Sequence, residues 1–452
     1  MFTWSNDVPG EHFITRTEER EERMTMTGST ESLTAASSPP AADLSAASFW
    51  SLTARERDEA FALLRKSDPI SRQPKPETGS GLMPTIGEYW AVVRHSDIRY
   101  VSRNPQLFCS SQGVLLDEVP PAMRDVDGPI LGMDAPRHAR LRSLITAAFT
   151  PRHVRQISDQ INAQAEQIVS DAIGRREVEI VRDVSMRLPL WTISEMLGVP
   201  EEEQAVMYHA ANVVTGTRDE EFVPAGTDPM MAMMGAMGAI HQLSYKMEAE
   251  RRAEPRDDLM TSLVQAEVDG QALTAEEIAW FVLLLFVAGN DTTRNTISHG
   301  VKAFSDFPEQ WDLLRSNPDA YLDTAVEELI RWASPVILFR RTATQDTELG
   351  GRAIREGDPV VLFYSSANRD EDVFERPWEF DITRKPNEHL GFGGGGPHFC
   401  LGALIARTQL KAIFGLFAKS VTRFEAGELD TVVGNLIHGV RSLPCVLRLD
   451  NE

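Results

Sequence analysis

Apolar residues recur every three or four positions over most of the chain after about Phe49, which is the spacing of one face of an α-helix. The repeat is clearest in the segments RHARLRSLITAAF, VRQISDQINAQAEQIVSDAI and AYLDTAVEELIRWA, which begin at Arg137, Val154 and Ala320. Short β-rich pieces lie between such segments, as in YWAVVR near residue 90 and DPVVLFYSSA from Asp358. The pattern therefore predicts a mainly α fold with small β-sheets.

The longest predicted helix begins after Thr274, which together with Glu277 has the Thr-x-x-Glu pattern of a capping box. Its apolar repeat continues to about Phe307, just before Pro308. The helix would be about 45–50 Å long and would cross a whole domain. Its middle reads AGNDTT over residues 288–293, and Gly, Asn, Asp and Thr are poor residues for a helix interior. These polar residues predict a kink or bulge at which a ligand binds.

Residues 1–47 lack any such periodic pattern. They include EEREER and a stretch of small polar residues and prolines, which have little apolar surface to bury. The sequence therefore predicts a disordered N-terminal tail over residues 1–47 and one catalytic domain over residues 48–452. Because Met24 and Met26 lie in the tail, the start of translation stays open between these two methionines and Met1.

The charge and cysteine content exclude several classes of protein. The chain carries 67 acidic and 45 basic residues, a net charge of −22, whereas nucleic-acid binding depends on basic patches. Three cysteines argue against a disulfide framework and for a reducing compartment. The longest apolar run, Ile278 to Ala288, is too short to span a bilayer, and the N-terminus does not resemble a signal peptide. We expect a cytoplasmic protein with no membrane span and no nucleic-acid partner.

A run of four glycines lies in the segment HLGFGGGGPHFCLG, residues 389–402. A phosphate-binding loop would need Gly-Lys-Ser/Thr after a strand, and this segment has neither a lysine nor a hydroxyl. The residues after Cys400 are apolar at helical spacing, which places Cys400 at a helix N-terminus, where the helix dipole stabilises a thiolate. Glycines would let the backbone approach a flat ligand. A thiolate ligand to haem iron fits this pattern, whereas Cys109 and Cys445 are interpreted as buried apolar residues.

Four segments resemble motifs of the cytochrome P450 superfamily of haem-thiolate monooxygenases. FGGGGPHFCLG is similar to the haem-binding loop, AGNDTT to the central-helix motif, EELIR to the Glu-x-x-Arg motif, and NRDEDVFERPWEFDITR to the segment that leads into the loop. One departure is that Phe392 lies eight residues before Cys400, where seven is usual, so the loop carries one additional residue. The resemblance covers nearly the whole chain after the tail. It implies the P450 fold, a triangular helical prism around a buried haem b.

The resemblance also assigns chemical roles to individual residues. Cys400 is expected to be the axial ligand of the haem iron. Asp291 and Thr292 are similar to the acid–alcohol pair that supplies protons for oxygen cleavage; the alternative for Thr292 is a hydrogen bond back to its own helix. A structural triad behind the thiolate loop is expected to consist of Glu328, Arg331 and Arg384.

Further residues match positions that surround the haem and its two propionates in the family. Cations are expected to converge on the propionates, and Arg340 is the alternative to Arg341 in that role. The residues expected to contact the cofactor are His138, Arg142, Arg341, His398, Ala288, Phe392, Gly393 and Gly402.

Substrate and redox-partner contacts follow from the same resemblance. Five methionines within residues 230–237 would lie near the lid of the substrate channel, with plain packing as the alternative. The arginines expected to dock an acidic ferredoxin are Arg137 and Arg140, with a merely solvated basic face as the alternative. The other residues expected to contact an apolar, sizeable substrate are Val336, Ile337, Leu436 and Ile437.

Within the family, the segments look most like actinobacterial members that oxidise sterol side chains and methyl-branched lipids. The resemblance thus implies a monomeric enzyme that inserts one oxygen atom of O₂ into a C–H bond of an apolar small molecule. Electrons would pass from NAD(P)H through ferredoxin reductase and ferredoxin. Two alternatives stay open: hydroxylation of a terpenoid or polyketide during its biosynthesis, and a haem protein that senses a ligand without turnover.

Overall fold

The structure, a computed structural model, describes residues 42–120, 128–148, 151–216 and 222–450, with the backbone alone at residues 151–154. Most of the predicted tail, including Met24 and Met26, lies outside the described residues. The last part of that tail contains two buried residues, Leu44 and Ser45. Leu44 packs in the apolar cluster beside the largest sheet, so the packed domain begins before residue 48.

Helices make up most of the described residues, as the sequence predicts. A 3₁₀ turn at Ile130–Gly132 and a π turn at Val181–Ser185 lie between α-helices. The α-helices, numbered in chain order, are α1 Ala47–Trp50, α2 Ala54–Ser67, α3 His95–Arg103, α4 Arg137–Ala148, α5 Pro151–Arg175, α6 Arg187–Leu197, α7 Glu201–Thr215, α8 Pro229–Ala253, α9 Leu259–Gln265, α10 Ala275–Asp306, α11 Pro308–Ser316, α12 Pro318–Ala333, α13 Tyr364–Ala367 and α14 Ala403–Ser420.

The strands are short and form small sheets, which also agrees with the sequence pattern. They are β1 Ile70–Gln73, β2 Tyr89–Val92, β3 Phe108–Cys109, β4 Glu177–Glu179, β5 Glu267–Val268, β6 Gln271–Ala272, β7 Leu338–Ala343, β8 Thr347–Leu349, β9 Arg352–Ile354, β10 Pro359–Phe363, β11 Val421–Ala426, β12 Asp430–Thr431, β13 Val440–Ser442 and β14 Pro444–Leu449. The largest sheet has the order β1-β2-β10-β7-β3. Its strands are antiparallel except for the pair β2 and β10.

The central helix α10 begins with the predicted capping box. The Thr274 hydroxyl accepts a hydrogen bond from the Glu277 N–H, and the Glu277 carboxylate accepts one from the Thr274 N–H. Residues 275–306 are α-helical throughout, so the polar residues at 288–293 do not break the helix, and the kink expected there stays a prediction. The helix propensities of these polar residues differ from that of alanine by less than about 1 kcal/mol each, and packing along the rest of the helix outweighs that cost.

The two halves of the central helix pack into different apolar clusters. The N-terminal half buries residues such as Phe281 and Phe286 against the helices α4 and α6 to α9. The C-terminal half buries Val301 and Phe304 against α5, α12 and α14. Residues 288–293 belong to neither cluster, so polar side chains occur where the two cores meet. Among the described helices, none combines the length and the apolarity that crossing a bilayer requires.

Candidate haem and catalytic site

The glycine-rich loop lies directly on helix α3, and this contact explains its composition. Gly393, Gly395 and Gly396 have φ values of +98°, +90° and +75°, a region that side chains disfavour. A Cβ atom on Gly394 would lie 2.4 Å from the Ser102 hydroxyl oxygen, and one on Gly396 would lie 2.2 Å from the Ser102 carbonyl oxygen. Both distances are far inside van der Waals contact. Backbone conformation and close approach therefore require glycine in this loop.

Cys400 lies between this loop and helix α14, which begins three residues later. Its N–H donates to the Phe392 carbonyl over 3.1 Å, and its sulfur accepts from the Gly402 N–H. The cysteine has exposed surface, yet desolvation by the surrounding protein raises the pKa of its thiol. The Gly402 N–H and the nearby Arg142 and Arg407 cations lower that pKa, but desolvation has the larger effect. The helix N-terminus alone does not make a thiolate here; a bound metal ion would displace the proton.

The four predicted propionate contacts lie together. The His138 and His398 rings are 4.2 Å apart between centroids, and the pKa of His398 is lowered to about 3 by burial first and then by Arg341, His138 and Arg142. Burial and the same arginines also lower the pKa of His138. The nearby carboxylate, Asp134, accepts backbone N–H groups of Ser110 and Ser111. Two arginine cations need an anion, and two neutral imidazoles can donate hydrogen bonds to it, so this cluster fits a group that carries two carboxylates, as haem does.

Arg340 and Arg341 are distinguished by their partners. The Arg340 guanidinium donates to the carbonyl oxygens of Gln112 and Gly113, over 2.6 and 3.2 Å. The Arg341 side chain is instead close enough to His138 and His398 to lower the pKa of both. Successive residues of strand β7 point to opposite faces of the sheet, which accounts for the difference. The geometry therefore favours Arg341 over Arg340 as a cofactor contact.

The acid–alcohol pair lies in the middle of the central helix. The Thr292 hydroxyl donates to the Ala288 carbonyl over 2.9 Å, which is the alternative arrangement that the sequence left open. Asp291 is buried, and its carboxylate lies 3.0 Å from the Arg294 guanidinium. Burial nevertheless raises the pKa of Asp291, since desolvation outweighs the Arg294 charge and the hydrogen bond from Thr215. The site thus holds the Thr292 hydroxyl, whose proton is donated to its own helix, beside a buried carboxyl group with a raised pKa.

The predicted triad is assembled and buried. Glu328 and Arg331 have no exposed side-chain surface and form two hydrogen bonds of 2.6 and 2.7 Å. Arg384 Nε lies 3.3 Å from the Glu328 carboxylate, which also accepts from the side chain of Asn387 and the N–H of Asp381. The triad therefore connects helix α12 with the segment that leads to the thiolate loop.

A second charged network, which the sequence did not predict, lies beside the same loop. The Glu327 carboxylate pairs with Arg407 over 2.6 Å and with His389 over 3.0 Å. The Arg407 guanidinium is 4.5 Å from the Phe392 ring centroid. Burial opposes ionisation, but Arg407 and His389 lower the pKa of Glu327 to about 2. The two adjacent glutamates of EELIR could have predicted this network. Because residues 327 and 328 face different sides of the helix, Glu327 had to have partners other than those of Glu328.

The residues predicted to contact substrate meet, but one of them is buried. Val336 forms a β-bridge with Ile437, and the Ile337 N–H donates to the Leu436 carbonyl over 2.8 Å. The Ile337 side chain is 2% exposed and packs beside the sheet. Its predicted substrate contact is therefore not supported, because a side chain in closed packing offers no surface to a ligand.

Two buried histidines tie this segment to the central helix. The His299 ring nitrogen Nε2 lies 3.0 Å from the His438 carbonyl, to which it donates, and His438 Nδ1 donates to the Ala333 carbonyl over 2.9 Å. Burial lowers the pKa of His299 to about 4, with Arg369 and Arg57 adding to the effect. Both histidines are therefore neutral at physiological pH and act as structural hydrogen-bond donors.

The arginines predicted to dock a ferredoxin lie beside the start of the central helix, and two of the methionines predicted to lie near the lid are exposed. Arg140 pairs with Glu277 over 2.7 Å and also donates to Gln271, so it is committed to the start of the central helix and its predicted docking role is not supported. Arg137 lies beside Glu277 as well. On helix α8, Met231 and Met234 are 70% and 57% exposed, which disfavours plain core packing for these two methionines.

Comparison with known proteins is consistent across sequence and structure. A family model described as cytochrome P450 matches residues 227–426. The methyl-branched lipid omega-hydroxylase of Mycobacterium tuberculosis is 42% identical over 411 residues, which cover 90% of this chain and 95% of that relative. The steroid C26-monooxygenase of Mycolicibacterium smegmatis is 41% identical over 370 residues, covering 80% and 84%. A Mycobacterium marinum cytochrome P450 solved in complex with pseudoionone is 45% identical with a TM-score of 0.84, covering 91% of this chain and all of that one.

The chain belongs to the cytochrome P450 family. It is a haem-thiolate monooxygenase with haem b as its cofactor, and it uses NAD(P)H indirectly through redox partners. This confirms the predicted fold and reaction class, and it excludes the alternative of a haem sensor without turnover.

Replacing Gly396 by alanine tests the fit of the loop on α3. A Cβ atom would strain the positive φ and meet the Ser102 carbonyl, so we expect a loss of about 2–4 kcal/mol in the free energy of unfolding, with a lower haem content. Denaturant unfolding and the haem absorbance per protein measure both. The control is Gly87→Ala, whose Cβ meets no atom within 4 Å; equal stability of the two variants would contradict the contact.

The depressed pKa of His299 predicts a pH dependence of stability. Its pKa is about 4 in the folded protein, against an ordinary value of 6.5 for a solvated histidine, so the stabilisation is complete above about pH 6.5 and is lost as the pH falls towards 4. Between pH 7.5 and pH 5 the free energy of unfolding of the wild type should fall by on the order of 1–2 kcal/mol more than that of His299→Gln, because glutamine keeps a hydrogen-bond donor that does not titrate. Urea unfolding at both pH values measures this difference, and an identical loss in both proteins would show that His299 is not the titrating group.

Proposed function

We propose that this cytochrome P450 hydroxylates a terminal methyl carbon on the branched end of a long apolar molecule, such as a methyl-branched lipid or a sterol side chain. The observation that carries the proposal is the 41–42% identity over at least 80% of the chain to a methyl-branched lipid omega-hydroxylase and a steroid C26-monooxygenase. Both names denote oxidation at the end of a chain, so the shared chemistry is a terminal carbon presented to the cofactor.

The residues that hold the haem follow from the two clusters around Cys400. The Cys400 sulfur would bind the iron, and the cofactor then supplies the activation of O₂. Arg142 and Arg341 would bind the propionates through their positive charges, and the neutral His138 and His398 would donate hydrogen bonds to them. The residues that would line the cofactor are Ala288, Phe392, Gly393 and Gly402.

Asp291 and Thr292 would control protons at the oxygen-binding side. The Thr292 hydroxyl donates its proton to Ala288, so its oxygen presents lone pairs and can accept a hydrogen bond from a reacting oxygen. Asp291 has a raised pKa and lies against Arg294. A buried carboxyl group with a raised pKa holds a proton more readily than a solvated one, which suits a group that passes protons on. Together they would deliver protons where they are consumed.

The substrate side is built from apolar residues on two chain segments. The bridge between Val336 and Ile437 and the adjacent Leu436 hold one wall in place, and the His299–His438 contact fastens that wall to the central helix. The exposed methionines of α8 would form an adaptable cover, since the methionine side chain fits irregular apolar shapes. The triad of Glu328, Arg331 and Arg384 would act in folding and haem retention.

The redox partner would be a ferredoxin that docks beside the thiolate. Phe399 and Leu404 lie on either side of Cys400 in the chain and are 39% and 55% exposed, and Arg142 and Arg407 are close enough to influence the thiol. These exposed apolar side chains beside Cys400 would form the centre of the docking surface. The monomeric state and the cytoplasmic location stay predictions.

Optical titration of the ferric holoprotein tests the substrate class. We expect a methyl-branched fatty acid or cholest-4-en-3-one to shift the Soret band from low spin to high spin, with a straight-chain acid of equal length binding at least about tenfold more weakly. The branched end fills more of an apolar pocket, and each methyl group is worth about 1 kcal/mol. If terpenoid or polyketide ligands shift the band and both lipids fail, the substrate proposal is wrong although the enzyme class stands.

Replacing Thr292 by alanine tests the proton role. Without the hydroxyl we expect NAD(P)H consumption to continue while the fraction converted to hydroxylated product falls about tenfold or more and hydrogen peroxide accumulates. Asp291→Asn should instead slow NAD(P)H consumption itself. The matched control is Thr293→Ala, which removes the neighbouring hydroxyl, a buried one. Unchanged coupling of product to NAD(P)H in Thr292→Ala would refute the assignment.

A further inference from the structure

A small polar cavity lies away from the thiolate loop, between helix α2 and the end of α12. The space available to water-sized molecules is about 30 Å³, roughly twice what one water needs. Its charged and ionisable walls are Arg57, Asp58, Arg369 and His438. The remaining residues that line the cavity are Ala54, Phe61, Trp332, Ser334, Ile337, Ser365 and Trp378.

Arg369 lines this cavity with an unsatisfied donor. Its side chain lies between two indole rings, with the guanidinium carbon 4.8 Å from the Trp332 centroid and 4.6 Å from the Trp378 centroid. Its two terminal nitrogens donate to backbone carbonyls of residues 331, 332 and 368. The Nε atom is buried and has no hydrogen-bond partner among the described residues. Such a group is costly unless something in the cavity accepts from it.

Arg57 is a second arginine that lines the cavity. One terminal nitrogen, Nη1, donates to the carbonyl oxygens of Trp50 and Leu52. Within the part of the chain that the structure describes, neither Arg57 nor Arg369 forms an ion pair with a carboxylate. Two partly or fully buried arginines thus line one cavity without an ion-pair partner of their own, and the Asp58 carboxylate beside them is already paired with Arg65.

The surrounding ion pairs do not supply such a partner. Asp58 and Glu371 both pair with Arg65, and the second Asp58 oxygen accepts from the Trp378 indole. Glu328 is engaged by two further arginines. Of five neighbouring guanidinium groups, three thus pair with these carboxylates and two have no ion-pair partner among the described residues. The five are Arg57, Arg65, Arg331, Arg369 and Arg384.

His438 and Arg369, which line the cavity, both have lowered pKa values. The pKa of His438 is lowered well below its usual value by burial and also by His299, Arg57 and Arg369. Burial lowers the pKa of Arg369 too, with Arg331 as the next cause. Both shifts come first from burial and then from neighbouring positive groups, whereas Asp58 and Glu328 act on the pKa of Arg369 in the opposite direction.

We propose that this cavity is a binding site for a small monovalent anion of the halide class, held between Arg57 and the Nε of Arg369. Water molecules could satisfy the hydrogen bonds but would leave both positive charges uncompensated. A tetrahedral oxyanion such as phosphate has five heavy atoms and exceeds a space that holds about two waters. A single halide ion carries a negative charge and is small enough for the cavity. The proposal does not depend on the identity of the substrate.

The site would join parts of the fold that are distant in the chain. Arg57 belongs to α2 near the N-terminus of the described residues, Arg369 lies at the start of the segment that leads to the thiolate loop, and His438 lies in the proposed substrate wall. An anion that binds the folded protein but not the unfolded chain would stabilise the folded state by mass action. Halide would therefore raise the stability of the holoprotein without contacting the haem.

The test uses the full-length ferric holoprotein prepared in gluconate, an anion too large for the cavity. Sodium bromide is titrated at constant ionic strength with gluconate as the counterbalance, and the thermal midpoint is followed by circular dichroism. We expect a saturable rise of about 1–3 °C. Crystals soaked in bromide should show an anomalous peak between Arg57 and Arg369.

Arg57→Gln and Lys66→Gln form a matched pair of variants. Both remove one positive charge from helix α2, but Lys66 is exposed and does not line the cavity. We expect Arg57→Gln to lose the saturable response or to need at least tenfold more bromide, and Lys66→Gln to respond like the wild type. The proposal is overturned if wild-type crystals show no bromide peak in the cavity, or if Arg57→Gln responds as the wild type does. If Arg57→Gln fails to fold, the bromide peak in the wild type decides alone.

Discussion

The buried ion pair of Glu328 and Arg331 is the interaction on which the rest of the site depends. The chain between residues 368 and 390 has little regular structure, so its backbone groups need partners from elsewhere. Arg331 donates to the carbonyls of Asn368, Pro377 and Glu379, and Glu328 accepts from the far end of the same segment. Removing one partner of such a pair leaves an uncompensated buried charge, at a cost of about 3–5 kcal/mol. The pair therefore fixes the path by which the chain reaches Cys400.

The thiolate loop shows how geometry and electrostatics oppose each other at this site. Positive φ values and contact with Ser102 place the loop backbone on α3, and this brings Cys400 into a partly desolvated position. Desolvation raises the pKa of the thiol although a helix N-terminus and two arginines favour the thiolate. The protein thus positions the sulfur, while ligation would supply the energy of its deprotonation. Removing the proton and binding the cofactor become coupled events.

Uncompensated positive charge occurs at two separate places in a chain whose net charge is −22. One is the group of two histidines and two arginines that faces the proposed haem propionates. The other is the cavity between Arg57 and Arg369. In both places buried basic groups lie close together, and burial first and the neighbouring positive groups second lower the pKa values of adjacent histidines. Buried charges are tolerated only when paired, so both places are best understood as halves of binding sites.

The sequence by itself determined the helical character of the fold and the capping box at Thr274, because both depend on local spacing. The triad of Glu328, Arg331 and Arg384, which the structure brings together, and Cys400 as the thiolate, which stays a prediction, came from the resemblance to short motifs. The sequence could not decide that helix α10 runs unbroken, since packing of its two halves outweighs local propensity. Nor could it show that Arg140 is held by Glu277, that Ile337 is buried, or that Arg341 rather than Arg340 lies beside His138 and His398. Those facts, like the unpaired guanidiniums of Arg57 and Arg369, join residues far apart in the chain. Only the tertiary structure decides which distant charges meet and which side of a strand faces the core.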